Sequence, residues 1–208
     1  MKLLIASTNP GKLVEVREIL AGLGFELVSL ADLQLPAPDE TGATFEDNAA
    51  QKASACATWS NLWALGDDSG LCVDALGGAP GVFSARYAPT EEERRAKLLR
   101  SLASVPDSRR GAHFFCAVAL SSPDGKRLFR ADGRVDGGIA WAARGSNGFG
   151  YDPLFVPAET PGRTLAELSS AEKNRLSHRG RALERLRPVL EKLRREGGLY
   201  LAPRGQTG

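Results

Sequence analysis

The sequence predicts an α/β fold with a mixed sheet, because strand and helix patterns alternate along the chain and a hairpin interrupts them in the middle. An apolar run at residues 3–6 ends at a turn, and residues 12–23 then show helical spacing of apolar side chains. Residues 112–120 and 126–135 predict two strands joined across the turn at residues 123–125.

The other elements follow from apolar spacing, turn residues and helix caps. Thr90 with Glu93 and Ser169 with Glu172 form capping boxes, which mark helix starts. Pro188 is expected to kink the last helix or to begin a new first turn. The remaining expectations are a strand at 25–30, a Pro-, Gly- and acid-rich loop at 34–43, a helix at 44–63, extended segments at 65–68 and 71–76, a helix at 90–102, an irregular Gly-rich segment at 137–152 and a helix at 169–187.

Composition and charge exclude global disorder and reveal a basic segment. The chain has 208 residues, of which 42% are hydrophobic and 25% charged, as in ordinary globular proteins. The net charge is +2, but residues 173–195 hold nine Lys or Arg against two Glu. That local balance of +7 leaves −5 on the rest of the chain. A basic segment on an acidic body points to an anionic partner.

Cysteine usage and hydropathy predict a cytoplasmic protein. No stretch of 18 apolar residues exists, and the N-terminal apolar run is too short for a signal peptide, so we expect no membrane partner. Cys56, Cys72 and Cys116 form no CxxC motif, which argues against a disulfide framework or a zinc site. We expect them to be small buried apolar residues.

The segment between the first strand and the first helix is where a phosphate would sit. Unpaired N–H groups at a helix start attract anions, Gly11 permits close backbone approach and Lys12 adds a full charge. It is not a Walker A motif, and the alternative is a turn with a solvated lysine. The segment comprises Ser7, Thr8, Asn9, Pro10, Gly11 and Lys12.

Two adjacent carboxylates, Asp67 and Asp68, follow an apolar stretch. On an extended strand they point to opposite faces, so one of them points directly into a given site. A carboxylate there suits a Mg²⁺ ligand or a general base, and the alternative is a polar turn. Glu40 lies in a loop rich enough in carboxylates to reach the same metal. Lys52 shares a helix face with Asn48, and the alternative for both is a solvated surface.

Three further segments supply cations and an aromatic face. The Gly- and Pro-rich turn at 77–81 leads to Arg86, which can bind phosphate or pair with a carboxylate. Phe149, flanked by glycines, can lie flat on a purine, and Asp152 can bond a base or hold the loop. Packed aromatics at a hairpin end are the alternative.

Basic residues near a predicted helix start oppose the helix dipole and therefore suggest an anionic or polar ligand. Those residues are Lys173, His178 and Arg179, and the alternative is a solvated basic helix. The later arginines of the segment are expected to be solvated on the exposed side of a packed helix. Together, phosphate-binding cations, a metal carboxylate and a slot for a base describe a Mg²⁺-dependent nucleoside triphosphate site.

The chain resembles the inosine triphosphate pyrophosphatase family, the dITP/XTP pyrophosphatases. The resemblance covers residues 7 to about 183 and rests on the stretches STNPGK, TFEDNAAQKA, GDDSGLCVDALGGAPGVFSARY, GFGYDPLF and AELSSAEKNRLSHRGRAL. It implies an elongated mixed sheet with flanking helices, two lobes around a central substrate cleft, a homodimer and Mg²⁺ dependence. It also implies cleavage of the α–β phosphate linkage of ITP, dITP and XTP.

Carried over by position, the resemblance implies residue roles. Asp68 matches the family's metal-binding and proton-accepting carboxylate, and Glu40 lies in the loop that supplies a second metal ligand. The substrate contacts implied are residues 7–12, Lys52, Ser69, Phe149, Gly150, Tyr151, Asp152, Lys173, His178 and Arg179. We expect residues 1–196 to form a single two-lobed domain and residues 197–208 a flexible tail.

Two alternatives remain at this point. One is a triphosphatase that releases orthophosphate, which would use the same residue types. The other is a nucleic-acid-binding module on the basic segment, which the apolar stripe at Leu183, Leu186 and Leu190 disfavours, since such a stripe packs on a core. We therefore expect a nucleotide substrate and no nucleic-acid partner.

Overall fold

The computed structural model describes residues 1–197, and within them it holds a six-stranded mixed sheet of strand order β2-β1-β3-β4-β5-β6. The predicted α/β class, a mixed sheet with flanking helices, is confirmed. The strands are β1 Lys2–Ile5, β2 Glu26–Ser29, β3 Trp63–Val73, β4 Gly111–Ser121, β5 Leu128–Ile139 and β6 Phe155–Pro157. The helices are α1 Pro10–Ile19, α2 Phe45–Ser60, α3 Glu91–Ser101, α4 Ser170–Leu176 and α5 His178–Arg195. Four short 3-10 turns lie at Asp74–Leu76, Gly81–Arg86, Asp107–Arg109 and Leu165–Glu167.

The sheet is parallel on one side and antiparallel on the other. β1 pairs in parallel with β2 and β3, whereas β3, β4, β5 and β6 pair antiparallel in sequence. The two extended segments predicted at 65–68 and 71–76 are one strand, because β3 keeps a continuous register with β4 from Ala64 to Val73. The segment predicted to be irregular from residue 137 is likewise still β5 as far as Ile139, where β6 pairs with it.

Helices pack against both faces of the sheet. On one face, Leu65 of β3 and Val118 of β4 form a core with α1 and with Leu183 and Leu186 of α5, as the predicted apolar stripe requires. On the other face, small residues of α2 pack against β3 and β4. Gly66 permits this approach, because a Cβ there would lie 2.2 Å from the backbone oxygen of Ala49.

The predicted continuous helix at 169–187 is two helices, and this expectation was wrong. Ser177 is extended (φ −66°, ψ 155°), and its hydroxyl accepts a hydrogen bond of 3.0 Å from the Gly180 N–H as the cap of α5. An N-cap serine offers the backbone this alternative to helix continuation. Pro188, by contrast, does not end α5, which continues to Arg195. The break places Lys173 in α4 and Arg179 in the first turn of α5.

Two arginines of α5 contact an edge of the sheet. Arg185 is exposed, as predicted for the later arginines, whereas Arg181 is only partly exposed. β6 pairs with β5 only at Gly137–Ile139, so the earlier part of β5 has an edge with outward carbonyls. Arg181 donates to the Arg134 carbonyl (2.8 Å), and Arg185 donates to the Asp132 carbonyl (3.0 Å). One helical turn and two strand residues both span about 6 Å, so the spacings match. Cationic cover of this kind discourages pairing with another chain.

Two expectations concern membranes and the tail. In the part of the chain that the structure describes, no helix is long and apolar enough to cross a membrane. The predicted tail at 197–208 lies, apart from Gly197, outside the described residues.

Replacing both edge arginines tests this cover. Arg181→Ala/Arg185→Ala leaves two edge carbonyls without their donors, and we expect faster aggregation on mild heating, followed by light scattering. Arg130→Ala/Arg195→Ala removes the same charge from two exposed positions and is the matched control. Equal aggregation of the two double variants would show that charge alone, and not edge cover, is responsible.

Candidate active site

A cleft of about 580 Å³ gathers the residues singled out in the sequence. This volume lies within the usual range for small-molecule sites. Among the described residues, every predicted site residue lines it except Pro10 and Gly11, which lie in the first turn of α1. The residues that do are Ser7, Thr8, Asn9, Lys12, Glu40, Lys52, Asp68, Ser69, Phe149, Gly150, Tyr151, Asp152, Lys173, His178 and Arg179. Side chains from distant parts of the chain therefore share one cavity.

Asp68 is the buried carboxylate on the α2 side of the cleft. Asn48 Nδ2 donates to Asp68 Oδ2 at 3.0 Å, and Lys52 Nζ lies 3.7 Å from Asp68 Oδ1. Lys52 also bonds Glu40 Oε1 at 2.6 Å. The predicted shared face of Asn48 and Lys52 is thus confirmed, and α2 presents both groups to the end of the sheet. Arg86 was expected either to bind phosphate or to pair with a carboxylate, and its Nη1 lies 3.5 Å from Glu40 Oε2.

The two carboxylates of this cluster differ electrostatically. Burial raises the pKa of Asp68, and the nearby Lys52 and Lys12 offset that effect only in part. Burial also opposes ionisation of Glu40, but Lys52, Lys12 and Arg86 outweigh it and lower the Glu40 pKa. Asp68 is therefore the better proton acceptor of the two.

The donor set of this cluster fits a magnesium ion. Asp68 and Glu40 both contact the ammonium of Lys52, so a cation already lies between two carboxylates. Magnesium is typically held by one or two carboxylates together with substrate phosphates. Among the described residues no group of three or more His, Cys, Asp or Glu could hold a metal by itself. The site accordingly fits an ion that arrives with a phosphate ligand.

Asp67 points to the opposite face of the sheet, as the alternation along β3 predicts. It is fully paired there: Lys12 Nζ lies 2.5 Å from Oδ1, and Arg179 Nε donates to Oδ2 at 2.9 Å. Burial opposes its ionisation, but Arg179 and Lys12 hold the Asp67 pKa well below its usual value. Asp67 is therefore engaged with cations on the face opposite to Asp68. Cys116, expected to be simply apolar, also contacts Asp67 through its thiol at 3.1 Å.

Glu15, which no sequence motif indicated, completes a network of six charges, of which five are buried and Lys12 is partly buried. Glu15 lies on α1, and it pairs with Lys173 Nζ (2.5 Å) and with Arg179. Lys173 also pairs with Asp152. Three cations thus face three carboxylates: Lys12, Lys173 and Arg179 against Glu15, Asp67 and Asp152. The only signal in the sequence was a charged residue beside Val16 on the buried face of α1.

This network explains basic residues at the start of α5. A buried cation near a helix N-terminus is unfavourable by itself. Arg179, only 1% exposed, is stabilised there because Asp67 and Glu15 both accept from its guanidinium. Its position at the start of α5 therefore reflects buried ion pairing.

Aromatic rings form the other end of the cleft. His178 stacks on Phe114 with 4.6 Å between centroids and 7° between planes. Burial, with Arg179 and Lys173 nearby, holds the His178 pKa well below its usual value, so the ring is neutral. Lys173 Nζ lies 5.0 Å from the Phe149 centroid. Phe149 and the His178–Phe114 stack therefore give the cleft flat apolar surfaces beside donors.

The chain is similar to known proteins in both sequence and fold. The model of the Ham1 family matches residues 3–189. The chain belongs to the Ham1 family. The resemblance stated from its motifs is confirmed, and this Ham1 protein shares its fold with solved members of the family. A HAM1 protein from Coxiella burnetii matches with a TM-score of 0.81 and 44% identity, over 92% of this chain and 99% of that one.

Named relatives are also similar along most of their length. A dITP/XTP pyrophosphatase of Anaeromyxobacter sp. (strain Fw109-5) is 47% identical over 95% of this chain and 100% of its own. One of Geobacter sulfurreducens is 51% identical over 91% of this chain and 96% of its own. The similarity to this Ham1 protein thus covers 96–100% of these two relatives.

Gly11 leaves space for the Phe149 ring, which lies against it. A Cβ on Gly11 would lie 2.4 Å from a ring carbon of Phe149, so Gly11→Ala must displace the ring. We expect a loss of about 1–3 kcal/mol in unfolding free energy, as in other overpacked sites. In a Phe149→Ala background the same change should cost much less, which urea denaturation of the four proteins measures. Additive costs would contradict the contact.

Asp67→Asn tests the buried network. Removing one partner leaves Arg179 and Lys12 without it, and we expect a cost of about 3–5 kcal/mol at neutral pH. Because the folded pKa of Asp67 is lowered, its stabilisation is present above the ordinary aspartate value of about 3.9 and is lost as pH falls through the folded value. Denaturation at pH 3–7 should show the gap between wild type and variant shrinking below about pH 4. A gap independent of pH would contradict an ionised Asp67.

Proposed function

We propose that this Ham1 protein hydrolyses non-standard purine nucleoside triphosphates (ITP, dITP and XTP) to the nucleoside monophosphate and pyrophosphate. The observation that supports this best is the single cleft lined by two chemically distinct groups of residues. One group holds Lys52 with two carboxylates, and the other holds flat rings with donors. Relatives named dITP/XTP pyrophosphatase, 47–51% identical, point to the same activity.

Binding of the triphosphate rests on positive charge along the cleft. Lys12, Lys52 and Arg86 line it, and the start of α1 adds the positive end of its helix dipole. Each of these cations is held by a carboxylate, so their positions are set before substrate arrives. Such preorganised charge lowers the barrier without reorganisation during the reaction.

Asp68 is the proposed catalytic residue. As a buried carboxylate that lines the cleft, it would accept a proton from a water that attacks the α-phosphorus. Asn48 fixes one carboxylate oxygen through Nδ2, while the Ser69 N–H lies 3.0 Å from the other. The new bond joins the water oxygen to the α-phosphorus, the bond to the bridging oxygen breaks, and pyrophosphate leaves.

Asp68 and Glu40 would hold the magnesium ion. When bound, the ion neutralises charge on the phosphate oxygens and so favours phosphoryl transfer. Removal of magnesium with a chelator is therefore expected to abolish turnover.

We further propose that residues 1–196 act as one domain, in a cytoplasmic homodimer.

Preference for a 6-oxo purine follows from the donors near the rings. Lys173 donates to Asp152 and Glu15, which leaves its third N–H for a substrate acceptor. The guanidinium of Arg179 lies beside it and also carries only donors. Hypoxanthine and xanthine present a 6-oxo acceptor, whereas adenine presents an amine that would face these donors. Mismatched buried polar groups are strongly penalised.

The basic segment offers no observation in favour of nucleic-acid binding. Arg181, Arg185 and Arg194 are engaged with backbone carbonyls, and Arg187 pairs with Glu184.

The alternative reaction, which releases orthophosphate, differs from the proposed one in its product.

The product assay uses ITP with Mg²⁺, with and without added inorganic pyrophosphatase. We expect orthophosphate only with the added enzyme, and kcat/KM for ITP well above that for GTP and ATP. Orthophosphate released without it would contradict the proposed linkage, and equal rates for ITP and GTP would contradict the specificity.

Asp68→Asn should lower kcat by about 10²–10³-fold, as loss of other preorganised electrostatic groups does. Asp74→Asn, at an exposed carboxylate outside the cleft, is the matched control and should keep wild-type turnover. Near-normal turnover of Asp68→Asn at saturating Mg²⁺ would remove Asp68 from the catalytic role.

A further inference from the structure

The loop that carries Phe149 is held by hydrogen bonds from α3 as well as by the charge network. We call residues 148–152 the aromatic loop. Both polar groups of the Gly150 backbone have partners in the first turns of α3. The Gly150 N–H donates to Glu91 Oε2 at 2.9 Å, and Arg95 Nη1 donates to the Gly150 carbonyl at 2.8 Å. Gly150 is thus held through its backbone donor and its backbone acceptor at once, and we call these two hydrogen bonds the grip.

The side chains of Glu91 and Arg95 also form an ion pair with each other. Glu91 and Arg95 are one helical turn apart, and their charged groups lie 3.6 Å from each other. Thr90 caps the helix through a complete capping box with Glu93, which fixes the first turn from which Glu91 projects. The start of α3 is therefore a rigid support for the grip.

The grip restrains Phe149 because its other side is also held. The Phe149 N–H donates to Asp152 Oδ2 at 2.8 Å, and Asp152 pairs with Lys173 of the charge network. Between these attachments, the Phe149 ring lies over Lys173 and against Gly11. The orientation of the ring thus depends on α3 on one side and on α4 on the other.

We propose that Glu91 and Arg95 are positioning residues that hold the aromatic loop for purine binding. The proposal rests on the proposed function, in which Phe149 forms part of the base-binding end. Glu91 lines the cleft, but the grip acts through the loop backbone. Its loss should weaken binding of the base end and leave the phosphate end, on Lys52 and Asp68, unchanged.

Hydrogen exchange tests the grip without any substrate. In the full-length protein without nucleotide, Glu91→Ala should speed exchange of the Gly150 amide by about tenfold or more, because its acceptor is gone. Glu91→Gln keeps an acceptor oxygen and should restore most of the protection. Unchanged exchange in Glu91→Ala would contradict the grip, whatever the protein hydrolyses.

Ligand inhibition tests the consequence for binding. With ITP as substrate, Glu91→Ala/Arg95→Ala should raise KM and the inhibition constant of IMP by about tenfold, while kcat and the inhibition constant of pyrophosphate stay within about threefold. Glu91→Gln/Arg95→Lys should recover most of the IMP affinity. Glu92→Ala/Arg100→Ala, at exposed positions of the same helix, is the matched control and should behave as wild type.

The outcomes separate this proposal from the proposed function. Parallel weakening of IMP and pyrophosphate would indicate a general structural defect and contradict a positioning role, and so would unaltered IMP binding. If the wild-type protein turned over no nucleoside triphosphate, the proposed function would fail. The base-binding role of the grip would fail with it, and the exchange result would still decide whether the grip exists.

Discussion

Adjacent residues of a β-strand point to opposite faces of the sheet, and in β3 this constraint gives two neighbouring carboxylates different environments. Asp67 enters the face covered by α1 and α5, where Lys12 and Arg179 neutralise it. Asp68 enters the face covered by α2, where Asn48 and Lys52 leave it with a raised pKa. The rest of the site is arranged around this division.

Burying charges is costly unless each one has a partner, and the fold supplies partners from both ends of the chain. Glu15 comes from α1, whereas Lys173 and Arg179 come from α4 and α5. The break at Ser177 is part of this solution, since it starts α5 where Arg179 meets both Asp67 and Glu15. The interaction network therefore joins the first and last helices across the end of the sheet.

Much of this arrangement could be predicted from the sequence, because it depends on local pattern. The alternation at Asp67 and Asp68, the shared face of Asn48 and Lys52, and the hairpin between β4 and β5 all follow from strand or helix periodicity. The sequence motifs alone also indicate the family.

What could not be predicted depends on contacts between distant segments. Glu15 looks like an ordinary helical glutamate until α4 and α5 bring cations to it. The capping role of Ser177 competed with a continuous helical pattern, and tertiary pairing of Arg179 decided the outcome. The contacts of Arg181 and Arg185 with β5 could not be predicted from α5 alone, because the edge that they meet is created by the sheet.

The most direct test of the division between the two carboxylates is a titration with Mn²⁺ of protein saturated with an ITP analogue whose α–β linkage cannot be hydrolysed. Mn²⁺ accepts the same ligands as magnesium and can be counted by paramagnetic resonance. The proteins to compare are wild type, Asp68→Asn and Asp67→Asn/Arg179→Met, the last of which removes one buried charge of each sign. The account predicts that Asp68→Asn weakens Mn²⁺ binding by about tenfold or more, while the double variant binds within about threefold of wild type. Weaker binding in the double variant, or unaltered binding in Asp68→Asn, would contradict it.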